Sequence, residues 1–455
     1  MATTAQPESH ADVHADRPTY GDVTRDIAAT LGNPTKGYFV LLGLTLAVLG
    51  IAAFALLWQI RFGLGVAGYT PPILWGVYIT TFVFWVGIAH SGTLISAILY
   101  LFRSAWRTSV YRTAEAMTVF AVLTAGLFPL IHVGRLWYAY WLIPYPNQRQ
   151  LWVNFKSPLV WDLFAISTYL TVSTCFLIVG LIPDIAAVRD KATGWRKKLY
   201  TITSLNWRGT DQQWRHYTRA YLYLAALAAP LVLSVHSVVS WDFAVGIVPG
   251  WHATIFAPYF VAGAIYSGVA LVVTLLVPLR KVFKVERYIT TDHFENLAKL
   301  LLLTGMIVAY AYGVEYFIAW YSGNPYEQQA FWNRAFGQYW WATWTMIICN
   351  GFLPWLLWFR KIRRSIPALF VLSLFVNLGM WFERFVIIVV SLSRDFDPYA
   401  FGHYTPSWVE WAILAGSFAW FFWWFLLFAK NFPMVSIAEV KEIIPLPRIR
   451  QKEAH

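Results

Sequence analysis

The chain has 455 residues, of which 58% are hydrophobic and only 13% charged, and it carries a formal net charge of +12. Soluble domains average about 25% charged residues, so the composition excludes an ordinary soluble fold and points to an integral membrane protein, which the long apolar stretches below make all-α. The basic excess gathers in particular loops, which argues against a nucleic-acid surface. Two cysteines without a CxxC or CxxCH pattern leave disulfide scaffolds, attached c-type haem and thiolate clusters unsupported.

The first 35 residues are polar with no apolar h-region, so no cleavable signal peptide is expected. A helix needs about 20 apolar residues to cross the hydrocarbon core. Ten stretches qualify, at 39–60, 75–101, 114–138, 159–182, 217–240, 254–277, 296–320, 339–359, 366–390 and 407–428. The 26 tryptophans and 25 tyrosines suit the aromatic belts at the two bilayer interfaces.

The second stretch reads WVGIAHSGTLISAILYLFR and the sixth FVAGAIYSGVALVVTLLVPLR, which aligns Gly87 with Gly263, His90 with Tyr266, Ser91 with Ser267 and Gly92 with Gly268. Nearly the same offset relates the third stretch to the seventh. The expected organisation is therefore a four-helix unit occurring twice, at 75–240 and 254–390. Single helices at 39–60 and 407–428 flank the two bundles, and polar segments lie at 1–38 and 429–455. Four helices later the chain points the same way, so the repeats are related by an axis along the membrane normal.

Lysines and arginines load alternate gaps between these stretches. One side holds 26 and the other 5. The positive-inside rule then places both termini in the cytoplasm. On that topology the ionisable residues fall mainly toward the outer side. They are His132 and Arg135 in the third helix, Asp162 at the start of the fourth, and His236 at the end of the fifth. Asp242 and His252 lie in the loop that follows, Glu315 near the outer end of the seventh helix, and Glu383–Arg384 in the ninth. The inner leaflet shows mainly Glu115, Asp184 and Lys299.

Charges in the hydrocarbon region are costly and persist where they pair, line water or do chemistry. Histidine titrates near neutral pH, and a neighbouring carboxylate can fix its tautomer and take its proton. A His132–Asp162 pair would suit proton removal from a hydroxyl, as quinol oxidation requires. Trp137, Tyr138, Trp161, Trp241 and Trp251 could pack against a quinone ring or serve as belt residues. His90 lies deeper, and its sharper reading is a proton relay with Tyr266 as counterpart in the second bundle. A b-type haem needs two histidines facing each other at one depth. On this reading His90 has no such partner, so a b-type haem is not expected.

The ten spans, the doubled unit and the run SVHSVVSWDFAVGIVPGWHATIFAPYFVAGAIYSG at 234–268 resemble the NrfD/polysulfide-reductase-C family of quinone-interacting membrane subunits. Within it, the chain is most similar to the ActC branch of bacterial alternative complex III. The resemblance covers about 20 to 430. It implies a multi-pass subunit of the bacterial inner membrane that owns no haem or metal and binds menaquinol or ubiquinol near the outer face. Electrons would pass to a partner iron–sulfur subunit and on to c-type haem subunits, beside a second NrfD-like membrane subunit and membrane lipid. It carries the quinol site onto His132 and Asp162, with His236, Asp242 and Arg384 beside them. The expected proton path, coupled to oxidation, includes His90, Tyr266, Glu315 and Glu383. Two competing readings are a membrane anchor of a molybdenum or polysulfide oxidoreductase and a secondary transporter with repeated bundles, whose site would sit at the midplane on broken helices.

Overall fold

A computed structural model of the chain describes residues 18–143 and 157–444. Arg149 and Lys156 of the gap after the third stretch, Arg17, and the tail cations from Arg448 onward lie outside the described residues. Every extended element among the described residues is helical, in keeping with the need to satisfy all backbone polar groups locally within lipid.

An amphipathic helix, α1 (Tyr20–Thr30), opens the described chain with a capping box in which Thr19 and Asp22 satisfy each other's backbone amides. Among the described residues, nine helices are long and apolar enough to cross a membrane: α2 (Lys36–Phe62), α3 (Gly76–Leu101), α4 (Tyr111–His132), α5 (Pro158–Arg189), α7 (Asp211–Ala244), α8 (Phe256–Val282), α9 (Thr291–Tyr321), α12 (Ile366–Val390) and α13 (Trp408–Asn431). Between them lie α6 (Gly194–Thr203) and α10 (Pro325–Phe336), and α14 (Ile437–Glu442) follows the last span.

The eighth apolar stretch forms a tenth, irregular crossing. It begins as α11 (Trp340–Met346), widens into a π-helix over Ile347–Phe352, and tightens into a 3₁₀ helix over Leu353–Trp358. The expectation of a continuous span is corrected here. Pro354 lacks an amide proton and opens the 3₁₀ segment, where its missing donor leaves no α-helical hydrogen bond to break. Two other spans also carry π-helical turns, at Leu94–Ile98 in α3 and Val386–Val390 in α12.

The third helix also ends earlier than the expected 138. Pro129 lies in its last turn and Gly134 adopts a left-handed φ of 85°, after which a 3₁₀ segment runs over Leu136–Leu142. The fifth helix ends later than expected, at Ala244 instead of 240, which brings Asp242 into its last turn.

Spans α3 and α8 form the buried centre. The former packs chiefly on α4 and α8, whereas α5 packs chiefly on α7 and the flanking spans α2 and α13 pack on each other. Small residues permit the central approach. A Cβ added at Gly268 would meet the Ser91 side chain and the Ile88 carbonyl, and one at Gly92 would meet Thr118 and the Ala114 carbonyl. On the Lys/Arg-rich side the two ends of the described chain close over the bundle. Tyr20 donates to the Ile444 carbonyl at 3.3 Å, and Arg107 pairs with Glu439 of α14 at 2.7 Å.

Candidate functional site

A Trp–Asp dipeptide stands near the start of α5, Trp161–Asp162, and another at the end of α7, Trp241–Asp242. The helices run antiparallel and pack along their length, so the dipeptides meet. The two carboxyl groups lie within hydrogen-bonding reach of each other, and the two indole rings meet edge to face at 6.0 Å. Two carboxyl groups buried side by side share a proton more readily than they hold two charges. Asp162 is 6% exposed, and one oxygen of each acid is buried with no hydrogen-bond partner among the described residues. Trp75 stacks on Trp251 at 5.7 Å, and both rings contact Phe243, the residue after Asp242.

The expected hydrogen bond between His132 and Asp162 is not formed. His132 ends α4, which packs chiefly on α3, and its Nδ1 lies 3.3 Å from the hydroxyl of Tyr69 in the loop after α2. Burial, reinforced by the nearby Glu410, holds the Tyr69 phenol well above its ordinary value, so it remains protonated at neutral pH. That loop is itself pinned, because the buried Glu410 carboxylate accepts from the amides of Gly68 at 2.7 Å and Ser407 at 2.9 Å and from the Tyr404 hydroxyl.

The reading that His90 lacks a partner at its depth is also corrected. Its ring stacks on Tyr169 at 4.7 Å and 8°, and it contacts the ring of His236 at 4.7 Å. His236 lies eight residues before Ala244, about 12 Å from the helix end at 1.5 Å per residue. It is therefore inside the bundle and fully buried. Both of its ring nitrogens, and Nε2 of His90, have no hydrogen-bond partner among the described residues. The Tyr169 and Thr118 hydroxyls donate to the Ala89 carbonyl at 2.9 and 2.7 Å, just before the π-helical turn of α3.

Phe260 links this pair to a second buried group. Its ring lies 5.8 Å from His236, and the Arg384 guanidinium lies 4.4 Å above it. Arg384 and Glu383 form an ion pair at 2.7 Å that lacks hydrogen-bond alignment, leaving Arg384 Nη1 and Nη2 without hydrogen-bond partners. Tyr312 donates to the other Glu383 oxygen, and Asn350 donates to Tyr312 at 3.0 Å. Asn350 sits in the π-helical part of the eighth crossing. Glu315 is buried near Arg334 of α10, which donates to the Gly250 carbonyl at 2.9 Å and Ser391 at 2.8 Å. Tyr266 is buried beside Gly305 with its hydroxyl unpartnered among the described residues.

The expected outer cluster thus divides. Asp162 and Asp242 form one pair, His132 joins Tyr69, and His236 with His90 lies beneath. Glu383–Arg384 and Glu315 belong to the second bundle. Arg135 and His252 are exposed and stand apart from these groups. On the opposite side the two acids expected there, Glu115 and Asp184, are both held by Arg112, at 3.1 and 2.9 Å. Tyr69, Tyr169, Tyr312, Asn350 and Arg334 were not singled out in the sequence. The tyrosines are lost among 25 of their kind, whereas Asn350, an amide inside an apolar stretch, carried a signal. No group of three or more His, Cys, Asp or Glu able to hold a metal occurs among the described residues.

Three curated proteins align over most of this chain. A putative dimethyl sulfoxide reductase membrane subunit of Halobacterium salinarum is 28% identical, over 86% of this chain and 90% of its own. A selenate reductase subunit of Mesobacillus selenatarsenatis is 23% identical over 84% and 90%. An Hdr-like menaquinol oxidoreductase integral membrane subunit of Archaeoglobus fulgidus is 20% identical over 90% and 96%. The family model described as polysulphide reductase, NrfD, matches residues 65–394, nearly the whole span from the loop before α3 to the end of α12. This chain belongs to the NrfD family of polysulphide-reductase-type membrane subunits.

Proposed function

We propose that this chain binds quinol at the paired Trp–Asp motifs and oxidises it as the membrane subunit of a respiratory oxidoreductase complex. The observation that carries the reading is the Asp162–Asp242 carboxyl pair, which presents a partnerless oxygen on each side and is framed by Trp161 and Trp241. Quinol oxidation releases two electrons and two protons. A carboxyl pair that holds one proton takes up a second when a quinol hydroxyl deprotonates, and the indoles supply an apolar face for the ring. His132 acts beside it. When Tyr69 donates to Nδ1, the other nitrogen carries the imidazole proton and can donate to a quinone oxygen.

His236, His90 and the Arg384–Glu383–Tyr312 group form the route for protons between this site and the bundle interior. The Lys/Arg asymmetry supports a site at the outer face of a bacterial inner membrane, with both termini cytoplasmic. The electrons leave to a partner iron–sulfur subunit, and in an alternative complex III assembly they continue to c-type haem subunits. The quinol is menaquinol or ubiquinol.

A second reading keeps the site and changes the partner. The names of the dimethyl sulfoxide and selenate reductase relatives favour a complex in which the electrons serve a reductase subunit. Proteins that copurify with this chain separate the two: c-type haem absorbance accompanies the first, and a molybdenum protein without c-haem the second.

Photo-crosslinking with an azido-quinone tests the site itself. Label on the peptides containing Trp161–Asp162 and Trp241–Asp242 is expected. Label confined to other helices would overturn the assignment.

A further inference from the structure

An apolar groove of about 480 Å³ lies where the 3₁₀ end of the eighth crossing meets the start of α12. Leu353, Leu356, Ile362, Pro367, Val371 and Phe375 line it. The volume falls within the range of about 300–1,000 Å³ typical of small-molecule sites. Ile362 lies inside the turn Arg360-Lys361-Ile362-Arg363-Arg364, so a basic cluster stands at the mouth of an apolar trough.

The cations of this turn are unequally engaged. Arg363 points inward and donates to the carbonyls of Leu357 at 2.7 Å and Trp358 at 2.9 Å, which secures the turn. Arg364 pairs with Asp292 at 2.9 Å and Glu295 at 2.5 Å. Arg360, 74% exposed, lies 3.8 Å from Glu295, and Lys299 lies 3.9 Å from the same acid. Lys361 is exposed and stands outside this ion-pair network. Three of the five cations, Lys299, Arg360 and Arg364, share two acids, and Lys361 adds a further exposed charge beside the groove. Trp355, Trp358 and Phe359 are exposed beside it, at the level where aromatic side chains mark the headgroup region.

We propose that this groove binds one anionic phospholipid, with an acyl chain along Leu356, Val371 and Phe375 and the phosphate held by Arg360 and Lys361. Charge complementarity selects the occupant. An apolar partner helix or a zwitterionic lipid leaves the surplus charge unanswered, whereas an anionic headgroup neutralises it. The turn also lies on the Lys/Arg-rich side, the leaflet in which anionic lipids attract basic segments.

Native mass spectrometry of the full chain, titrated with phosphatidylglycerol or with phosphatidylcholine of the same acyl chains, tests this. One tightly retained phosphatidylglycerol is expected, with phosphatidylcholine held at least tenfold more weakly. The Arg360→Gln/Lys361→Gln variant should bind phosphatidylglycerol roughly 25-fold more weakly, about fivefold for each charge removed near the surface. Val371→Trp fills the groove from a half-exposed position and should abolish retention with the charges intact. Equal retention of the two lipids, or unchanged retention in either variant, would overturn the proposal. So would a photo-reactive group at position 371 that captures a partner protein in the intact complex instead of lipid.

Discussion

The imidazole rings of His90 and His236 touch, with centroids 4.7 Å apart and no exposure to solvent, although they lie on helices separated by more than a hundred residues of sequence. Two buried imidazoles in contact cannot both carry a charge without severe repulsion, so the pair suits handling one proton at a time. His236→Phe retains a flat ring against Phe260 and should leave assembly and quinol binding intact. Under the proton-route reading it lowers quinol-linked turnover by on the order of 10²-fold, the low end for a positioned proton-transfer group. Turnover and proton release per quinol, measured together in the intact complex, check this. Wild-type values for both would remove the pair from the route.

The centre of the bundle depends on bare backbone. At Gly268 a methyl group would meet the Ser91 side chain and the Ile88 carbonyl, and the carbonyl cannot rotate away. Gly268→Ala is expected to destabilise the chain by about 1–3 kcal/mol, as overpacking does in other cores. Gly126→Ala, in α4 with nothing within 4 Å of the added carbon, serves as the control and should be neutral or slightly stabilising. Thermal unfolding of the two variants in the same detergent distinguishes them.

The terminal helix α14 is held by buried charge. Arg107 and Glu439 are 6% and 7% exposed and 2.7 Å apart, and Asp184 accepts the Ala438 amide at 2.9 Å. Glu439→Ala leaves Arg107 buried without its acid, a loss of about 3–5 kcal/mol for pairs of this kind. It should lower the melting temperature and open the segment after Asn431 to proteolysis. Replacing both partners, as Arg107→Met with Glu439→Leu, should recover most of the stability, because no uncompensated charge remains. A double variant as unstable as the single one would show that the pair is not what holds the helix.

The spans were legible because lipid demands long apolar helices, and the observed elements follow the apolar stretches closely. What the sequence concealed was rotation and depth. Ending the fifth helix at 240 placed His236 at the surface, whereas four further residues to Ala244 put it deep against His90. Asp162 and His132 lie on sequence-adjacent spans, which suggested a pair, but α5 packs chiefly on α7 and turns its acid toward Asp242. The recurrence of Trp–Asp at 161 and 241 was the readable sign of that meeting. The irregular eighth crossing was masked by continuous hydrophobicity, which reports burial in lipid and carries no information on α, π or 3₁₀ winding.

The central claim is that the Asp162–Asp242 pair takes protons from quinol. Its most direct test is steady-state quinol oxidation by the intact complex carrying Asp162→Asn or Asp242→Asn, with partner proteins and redox centres quantified alongside. Asparagine keeps the shape and can donate to the remaining carboxylate, so assembly should survive. The account predicts that each variant loses 10²–10⁴-fold in turnover while still retaining bound quinone. Undiminished turnover in both variants would contradict it.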